Sequence, residues 1–183
     1  MNGAEHEILR DNVLRAYDAA TPDQRARGAV WYMEANRVAY ILGRTFDVST
    51  HAAAGVIAAL SPQRAWERNV IDAFDTCEFP DVEHVHYARN MRKAWRALND
   101  LERLGRILRG PKERAFAACI LRPTNRVAVC VDRWAARAAA PEWGIRVTSR
   151  RYRAIAAAYR AAARERGVSP AVLQATVWLQ IRA

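Results

Sequence analysis

The chain has little cysteine, and its apolar residues form no long run. Its three cysteines are an odd number at wide spacing (Cys77, Cys119 and Cys130). This argues against a disulfide framework and against a four-cysteine zinc or iron–sulfur site. No stretch approaches the roughly 20 uninterrupted apolar residues that a membrane span requires. The sequence therefore predicts no metal, no cofactor and no membrane association.

The chain does have enough apolar material for one core. Of its 183 residues, 51% are hydrophobic, and six are tryptophan, whereas disordered chains are poor in both. This length buries a core without disulfides or metals, so we expect a single domain over residues 1–183. Acidic residues occupy the N-terminal segment where a secretion signal would be basic and then apolar, which predicts a cytoplasmic location (in the host, if the protein is viral).

The positive charge is concentrated in the second half of the chain. The net charge is +10, yet residues 1–100 hold 12 basic and 14 acidic side chains, and residues 101–183 hold 17 and 5. GC-rich coding explains abundant arginine, since lysine occurs only at Lys93 and Lys112, but it does not explain the asymmetry. The asymmetry predicts a polyanionic partner. Nucleic acid is favoured over a membrane, because no helix pairs a basic face with a bulky apolar one.

Helical periodicity and capping residues run through almost the whole chain. They predict an all-α fold of about eight to ten helices, with Thr21-Pro22, Ser61-Pro62 and Ser169-Pro170 as helix starts. The expected helices cover 4–19, 22–44, 51–60, 63–76, 83–100, 101–108, 115–121, a segment opening at Asp132, 150–166 and 170 to the end. The β-branched stretch 127–131 is expected to be an extended buried segment, since a strand there has no evident partner.

Three segments carry a resemblance to a known family. They are LSPQRAW at 60–66, LRGPK at 108–112 and VCVDRW at 129–134, in that order. The order resembles the helix-hairpin-helix DNA glycosylases, which have an L-S-x-Q helix start, a hairpin ending G-x-K, an apolar helix and a V-D-x-H segment. The resemblance covers roughly residues 50–140. It implies a compact helical domain that binds DNA, expected to be double-stranded, and flips a base out of it.

The chain departs from the family pattern at three places. Leu108 stands where the hairpin has its first glycine, Trp134 stands where the family has histidine, and the loop 122–127 is longer. No cysteine cluster follows, so no iron–sulfur cluster is expected. These departures indicate a remote branch, of the kind that phages encode, in which substrate and reaction are open.

The resemblance assigns catalysis to Asp132 and Lys112. Asp132 would stabilise an oxocarbenium ion at C1′ or act as general base. The residues alone predict a helix N-cap at this position, and one aspartate can have both roles. Lys112 would attack C1′ and form a Schiff base in a lyase-type enzyme. The alternative for Lys112 is a phosphate contact at a helix start, which the altered hairpin favours.

The remaining candidates would bind DNA. Gln63 resembles the family's wedge, with a first-turn polar residue as the alternative. Phosphate contacts are expected from the hairpin and from the helix after the aspartate. The candidates are Gly110, Arg109, Arg114, Arg133 and Arg137. The alternative for each arginine is a place on a solvated basic face. Asn69, Trp66 and Trp134 are candidate pocket residues, with core packing favoured for Trp66. His51, His84 and His86 lack the carboxylate support of a metal site.

Three functions therefore remain open. The first is a glycosylase-like enzyme that acts at or near the N-glycosidic bond. The second is a phage base-hypermodification transferase built on the same scaffold. The third is a DNA-binding module without catalysis.

Overall fold

The computed structural model describes residues 3–79, 88–100, 103–144 and 147–183, and all regular secondary structure in these ranges is helical. These ranges contain ten α-helices and no strand, which confirms the all-α prediction. The helices are α1 Gly3–Asp18, α2 Pro22–Thr45, α3 Thr50–Leu60, α4 Trp66–Glu78, α5 Ala88–Asn99, α6 Leu104–Ile107, α7 Pro111–Leu121, α8 Arg133–Ala139, α9 Ser149–Glu165 and α10 Pro170–Ile181. No described helix is long and apolar enough to cross a membrane.

The chain divides into two compact units. Unit one comprises residues 1–33 and 122–183, and unit two comprises residues 34–121. The first boundary falls inside α2, and the second follows α7. A single domain over the whole chain stays a prediction.

Unit one is built from α1, the first part of α2, α8, α9 and α10. Large side chains from three of these helices fill its core, among them Leu9, Tyr159 and Leu173, each at most 1% exposed. Alanines occupy most other buried positions of α8 and α9, and such small side chains allow close helix packing. Bidentate bonds from Arg166 to Asp18 join the end of α9 to the end of α1, with Nε–Oδ1 at 2.9 Å and Nη2–Oδ2 at 2.6 Å.

Unit two is organised around α3. All residues of this helix from Ala52 to Leu60 are buried, as expected for a helix that is apolar on every face and therefore central. Helices α4, α5 and α7 pack against it. At Gly55 a β-carbon would come within 2.6 Å of Leu104 Cδ1. The absence of a side chain at Gly55 therefore allows Leu104 to pack directly against α3. Asn36 Nδ2 donates to Ile120 O at 2.9 Å and so ties the later part of α2 to α7.

Side-chain caps occur at the starts of α2, α3, α9 and α10, and those of α2 and α10 lie at the predicted Thr21-Pro22 and Ser169-Pro170 starts. Thr21 and Gln24 exchange reciprocal bonds as a capping box, and the side chains of Ser49, Thr148 and Ser169 accept from the first turns of α3, α9 and α10. Gly167, at φ 67°, lies two residues after the end of α9.

Other boundaries differ from the predictions. The helix expected to start at Gln63 starts at Trp66, because Gln63 has φ 61° and cannot belong to a right-handed helix. The helix expected at Ala115 already starts at Pro111. The one expected over 83–100 is described only from Ala88, and residues 80–87, with His84 and His86, lie outside the described residues.

Candidate functional site

Asp132 ends an extended segment of unit one and caps α8. Its Oδ1 accepts from the backbone N–H of Trp134 at 3.0 Å and of Ala135 at 2.8 Å. The side chain is half-buried, and Oδ2 accepts no hydrogen bond from any residue that the structure describes. The N-cap prediction is therefore confirmed, and one carboxylate oxygen remains available for other chemistry.

Two tyrosines of α9 surround the aspartate segment. The Tyr152 hydroxyl donates to Val129 O at 2.7 Å and accepts from Val131 N at 3.3 Å, which fixes the residues leading to Asp132. The fully buried Tyr159 donates to Ala135 O at 3.2 Å. Burial and then the Asp132 charge raise the pKa of Tyr159 well above its usual value, so it is a neutral phenol beside the carboxylate. Sequence reasoning missed both residues, although their spacing of seven places them on one face of α9.

Lys112 lies in unit two, at the second position of α7. A turn over 108–110 joins the four-residue α6 to α7, and a DNA-binding hairpin at this place stays a prediction. Leu108 is 1% exposed and donates its N–H to Leu104 O at 2.9 Å. Lys112 is half-buried, and its ammonium has no hydrogen-bond or ion-pair partner among the described residues.

A buried ion pair that the sequence did not reveal lies beside this turn. Lys93 Nζ of α5 is 2.5 Å from Glu113 Oε1, with side-chain exposures of 17% and 9%. Glu113 Oε2 also accepts from Gly110 N at 3.4 Å. Because the Gly110 amide already has this acceptor, a phosphate at the turn would depend mainly on side chains. A role of Gly110 in DNA binding stays a prediction.

Gln63 lies in the turn between α3 and α4. It is exposed and left-handed, in contrast to the half-buried Trp66 that begins α4. Asn69 is 2% exposed and donates to Ile57 O at 3.1 Å. Its Oδ1 is buried without a hydrogen-bond partner among the described residues. Asn69 thus joins α4 to α3 in the interior of unit two, and its role as a pocket residue stays a prediction.

Asp72 is a second buried charge that the sequence analysis missed. It is 0% exposed, and two guanidinium groups bracket it: Arg64 Nε is 3.0 Å from Oδ2, and Arg68 Nε is 2.8 Å from Oδ1. The Arg64 contact is an ion pair without hydrogen-bond alignment, whereas the Arg68 contact is also a hydrogen bond. Arg68 and Asp72 are four positions apart on α4, the spacing that brings two side chains together on a helix, whereas Arg64 lies in the turn before α4.

The arginines predicted to contact phosphate are exposed. Arg109 and Arg114 belong to unit two, where Arg114 Nη1 donates to Arg109 O at 3.1 Å. Arg133 and Arg137 lie one turn apart on α8 of unit one. Arg133 stacks over the half-buried Trp134 ring with Cζ 4.9 Å from the ring centroid, so this pocket candidate already has a cation on its face.

Three further features concern metal binding, a cleft and a thiol. No group of three metal-ligating side chains occurs within the described ranges. Unit one has an open cleft of about 540 Å³ whose lining includes Tyr32, Met33 and Arg126. The Tyr32 hydroxyl is buried and 2.8 Å from Gln174 Oε1, so Tyr32 is a packing residue. Burial raises the pKa of the Cys77 thiol to about 11, and this keeps it protonated near neutral pH.

Comparison with known proteins places the whole chain in one family. The model described as "Family of unknown function (DUF7178)" matches residues 1–183. The chain belongs to this family. For the DUF7178 chain, neither the curated proteins nor the solved structures contain a match.

Proposed function

We propose that this DUF7178 chain is a DNA-binding enzyme of the helix-hairpin-helix glycosylase type. It flips a base from duplex DNA and acts at or near the N-glycosidic bond. The three ordered motifs support this proposal, and the geometry of Asp132 carries it. Two backbone N–H groups hold one oxygen of that carboxylate, while the other has no protein hydrogen bond among the described residues.

This geometry suits charge stabilisation at a flipped nucleotide. The two N–H bonds fix the orientation of the carboxylate before substrate arrives, so little reorganisation is needed during the reaction. The free Oδ2 then stabilises positive charge developing at C1′, or accepts a proton from an attacking water or amine. Arg133 and Arg137 follow on exposed positions of α8, where guanidinium groups bind the phosphates of the same strand.

The proposed flipping residue is Gln63. It is exposed and left-handed, in the turn that follows α3. A glutamine there hydrogen-bonds the base left without a partner and offsets part of the few kcal/mol that unpairing costs. Arg64, the next residue, is ion-paired to the buried Asp72, so one side of this turn is fixed to the interior of unit two.

The test is mass spectrometry of bases and nucleosides after incubation of the purified protein with duplex DNA from its native source. Release of a free base by the wild type is the expected result. Asp132→Asn should abolish this release with DNA affinity unchanged within a few-fold, because asparagine caps helices as well as aspartate and the change mainly removes charge. Glu142→Gln, which removes an exposed carboxylate from the same unit, is the control and should retain activity.

Other results would replace the proposal. A mass gain on a base identifies a base-modifying transferase. DNA binding without any change in the bases identifies a non-catalytic module. Absence of DNA binding at low salt overturns the nucleic-acid function itself, since a basic protein that contacts phosphates binds more tightly as salt falls.

A further inference from the structure

The loop at 122–127 exposes an apolar side chain that the sequence predicts to be buried. Val127 is 71% exposed, the highest value among the large hydrophobic side chains that the structure describes. The residues that follow it behave as predicted, since Val129, Cys130 and Val131 are at most 5% exposed. Val127 thus stands apart from the buried segment that leads to Asp132.

Hydrogen bonds fix the loop in this conformation. Asn125 Oδ1 accepts from Val127 N at 2.7 Å and from Ala128 N at 2.9 Å. Arg160 Nη1 of α9 donates to Val127 O at 3.2 Å, and Asn125 N donates to Arg122 O at 2.8 Å. These bonds hold the backbone on both sides of Val127 in the conformation in which its side chain is exposed to water.

The surroundings of Val127 are basic. Arg122 and Arg126 of the loop are exposed, and the guanidinium of Arg160 lies against the Val127 carbonyl. Neither residues 114–131 nor residues 149–164 contain an acidic side chain. An apolar side chain among guanidinium groups is complementary to nucleic acid, in which phosphates flank an apolar stack of bases. A single valine is too small to anchor the loop in a bilayer.

We propose that the 122–127 loop is a second DNA-contacting element, in which Val127 enters the base stack from a groove while Arg126 and Arg160 bind the flanking phosphates. Apolar side chains that enter between base steps partly unstack them, and the surrounding contacts compensate that cost. This inference rests on the proposed function for its DNA partner. It adds a contact from unit one, whereas Gln63 belongs to unit two.

The experiment uses the full-length protein with a set of duplexes carrying one 2-aminopurine at successive positions, whose fluorescence rises on unstacking. Apart from the rise at the flipped base, which depends on Gln63, the wild type should show a second rise at one or two adjacent positions. Val127→Ala should remove this rise and change the DNA affinity by less than about tenfold, because one small wedge contributes little beyond unstacking. Ile8→Ala, which truncates another exposed aliphatic side chain of unit one (57% exposed), is the control and should leave the rise intact.

The arginines give an independent readout. Arg126→Ala should weaken binding and make the slope of log K against log salt shallower by about 0.9, the value for one lost phosphate contact. The control Arg27→Ala removes an exposed arginine of α2 in unit one and should keep the slope. Thermal unfolding of each variant checks that it is folded.

The outcomes separate the two proposals. Suppose that the wild type binds DNA and that neither Val127→Ala nor Arg126→Ala changes the fluorescence or the salt slope. This result overturns the loop contact and does not affect the proposed function. A wild type that does not bind DNA at low salt overturns both. Loss of the fluorescence rise only in Val127→Ala, with a shallower slope only in Arg126→Ala, supports the loop contact even if no base is released.

Discussion

Gly28 lies directly against the backbone of Thr176. A β-carbon at position 28 would be 2.8 Å from both Thr176 Cα and Thr176 N. Within unit one, α2 and α10 therefore approach to backbone contact at this point. Helix α2 continues through Gly28 without a break, so the glycine is needed for close approach and not for an unusual backbone angle.

Gly28→Ala should destabilise the protein. The added methyl group must displace backbone atoms of α10, and overpacking of this kind costs about 1–3 kcal/mol. Gly105→Ala is the matched control, because a β-carbon there meets nothing within 4 Å, and it should leave the stability unchanged or raise it by up to about 1 kcal/mol. Thermal and urea unfolding measure the difference, and equal stability of the two variants would contradict the close contact.

Asp72→Asn should also destabilise the protein. The change leaves Arg64, whose side chain is 21% exposed, without its counter-charge in a site that excludes most water. Breaking a buried pair from one side costs about 3–5 kcal/mol, and the half-exposed Arg68 places this case at the lower end, about 3 kcal/mol. Asp23→Asn, which removes the 73% exposed partner of Arg27, should cost less than about 1 kcal/mol. Urea midpoints that coincide for the two variants would show that Asp72 is not a buried counter-ion.

The Asp18–Arg166 pair predicts a pH dependence. Hydrogen bonds from Arg166 hold the pKa of Asp18 below its usual value. The pair therefore stabilises unit one above the ordinary aspartate pKa, and this contribution is lost as pH falls through the lowered pKa of the folded state. Asp18→Asn should lower the Tm by at most about 3 °C near pH 7, because the pair is exposed to solvent.

The Tm difference between wild type and Asp18→Asn should shrink as pH falls below about 4. The control Glu142→Gln removes an acidic charge without this partner and accounts for the change in net charge. A Tm difference that stays constant down to pH 2 would exclude the ion pair as its source.

Lys112 distinguishes lyase chemistry from phosphate binding. Its altered hairpin, with buried Leu108 and with Gly110 bonded to Glu113, favours the phosphate contact. We expect borohydride to trap no protein–DNA adduct, and we expect Lys112→Ala to bind DNA with a salt slope shallower by about one unit. A trapped adduct present in the wild type and absent in Lys112→Ala would establish the Schiff-base role instead.

Local sequence signals predicted helix starts well except where tertiary contacts opposed them. Thr21-Pro22 and Ser169-Pro170 begin helices, whereas Ser61-Pro62 does not. Ser61 ends α3, and its hydroxyl donates back to Ala58 O at 2.9 Å. Ser61-Pro62 therefore ends α3 and does not start α4. The last carbonyls of a helix lack partners within the helix, and the Ser61 hydroxyl provides a donor for one of them.

Some candidate residues could be predicted from local sequence signals, and others depend on tertiary packing. The cap at Asp132 was predictable, because the groups that its carboxylate accepts from are backbone N–H groups two and three residues later in the chain. The pairing of Asp72 with Arg68 could have been found from their spacing of four, whereas Arg64 lies before α4 and gives no such signal. Lys93 and Glu113, twenty positions apart, have no local signal, because their pairing depends on how α5 packs beside the turn before α7.

The sequence by itself determined the all-α class, most helix boundaries, the caps and the excess of positive charge after residue 100. These follow from side-chain periodicity, backbone capping and composition, which act over a few residues. Only the tertiary structure decided which polar groups became buried, that Val127 faces water while Val129 and Val131 do not, and that Gly28 meets Thr176. Each of these depends on which helix covers a given side chain, and burial is set by neighbours far along the chain.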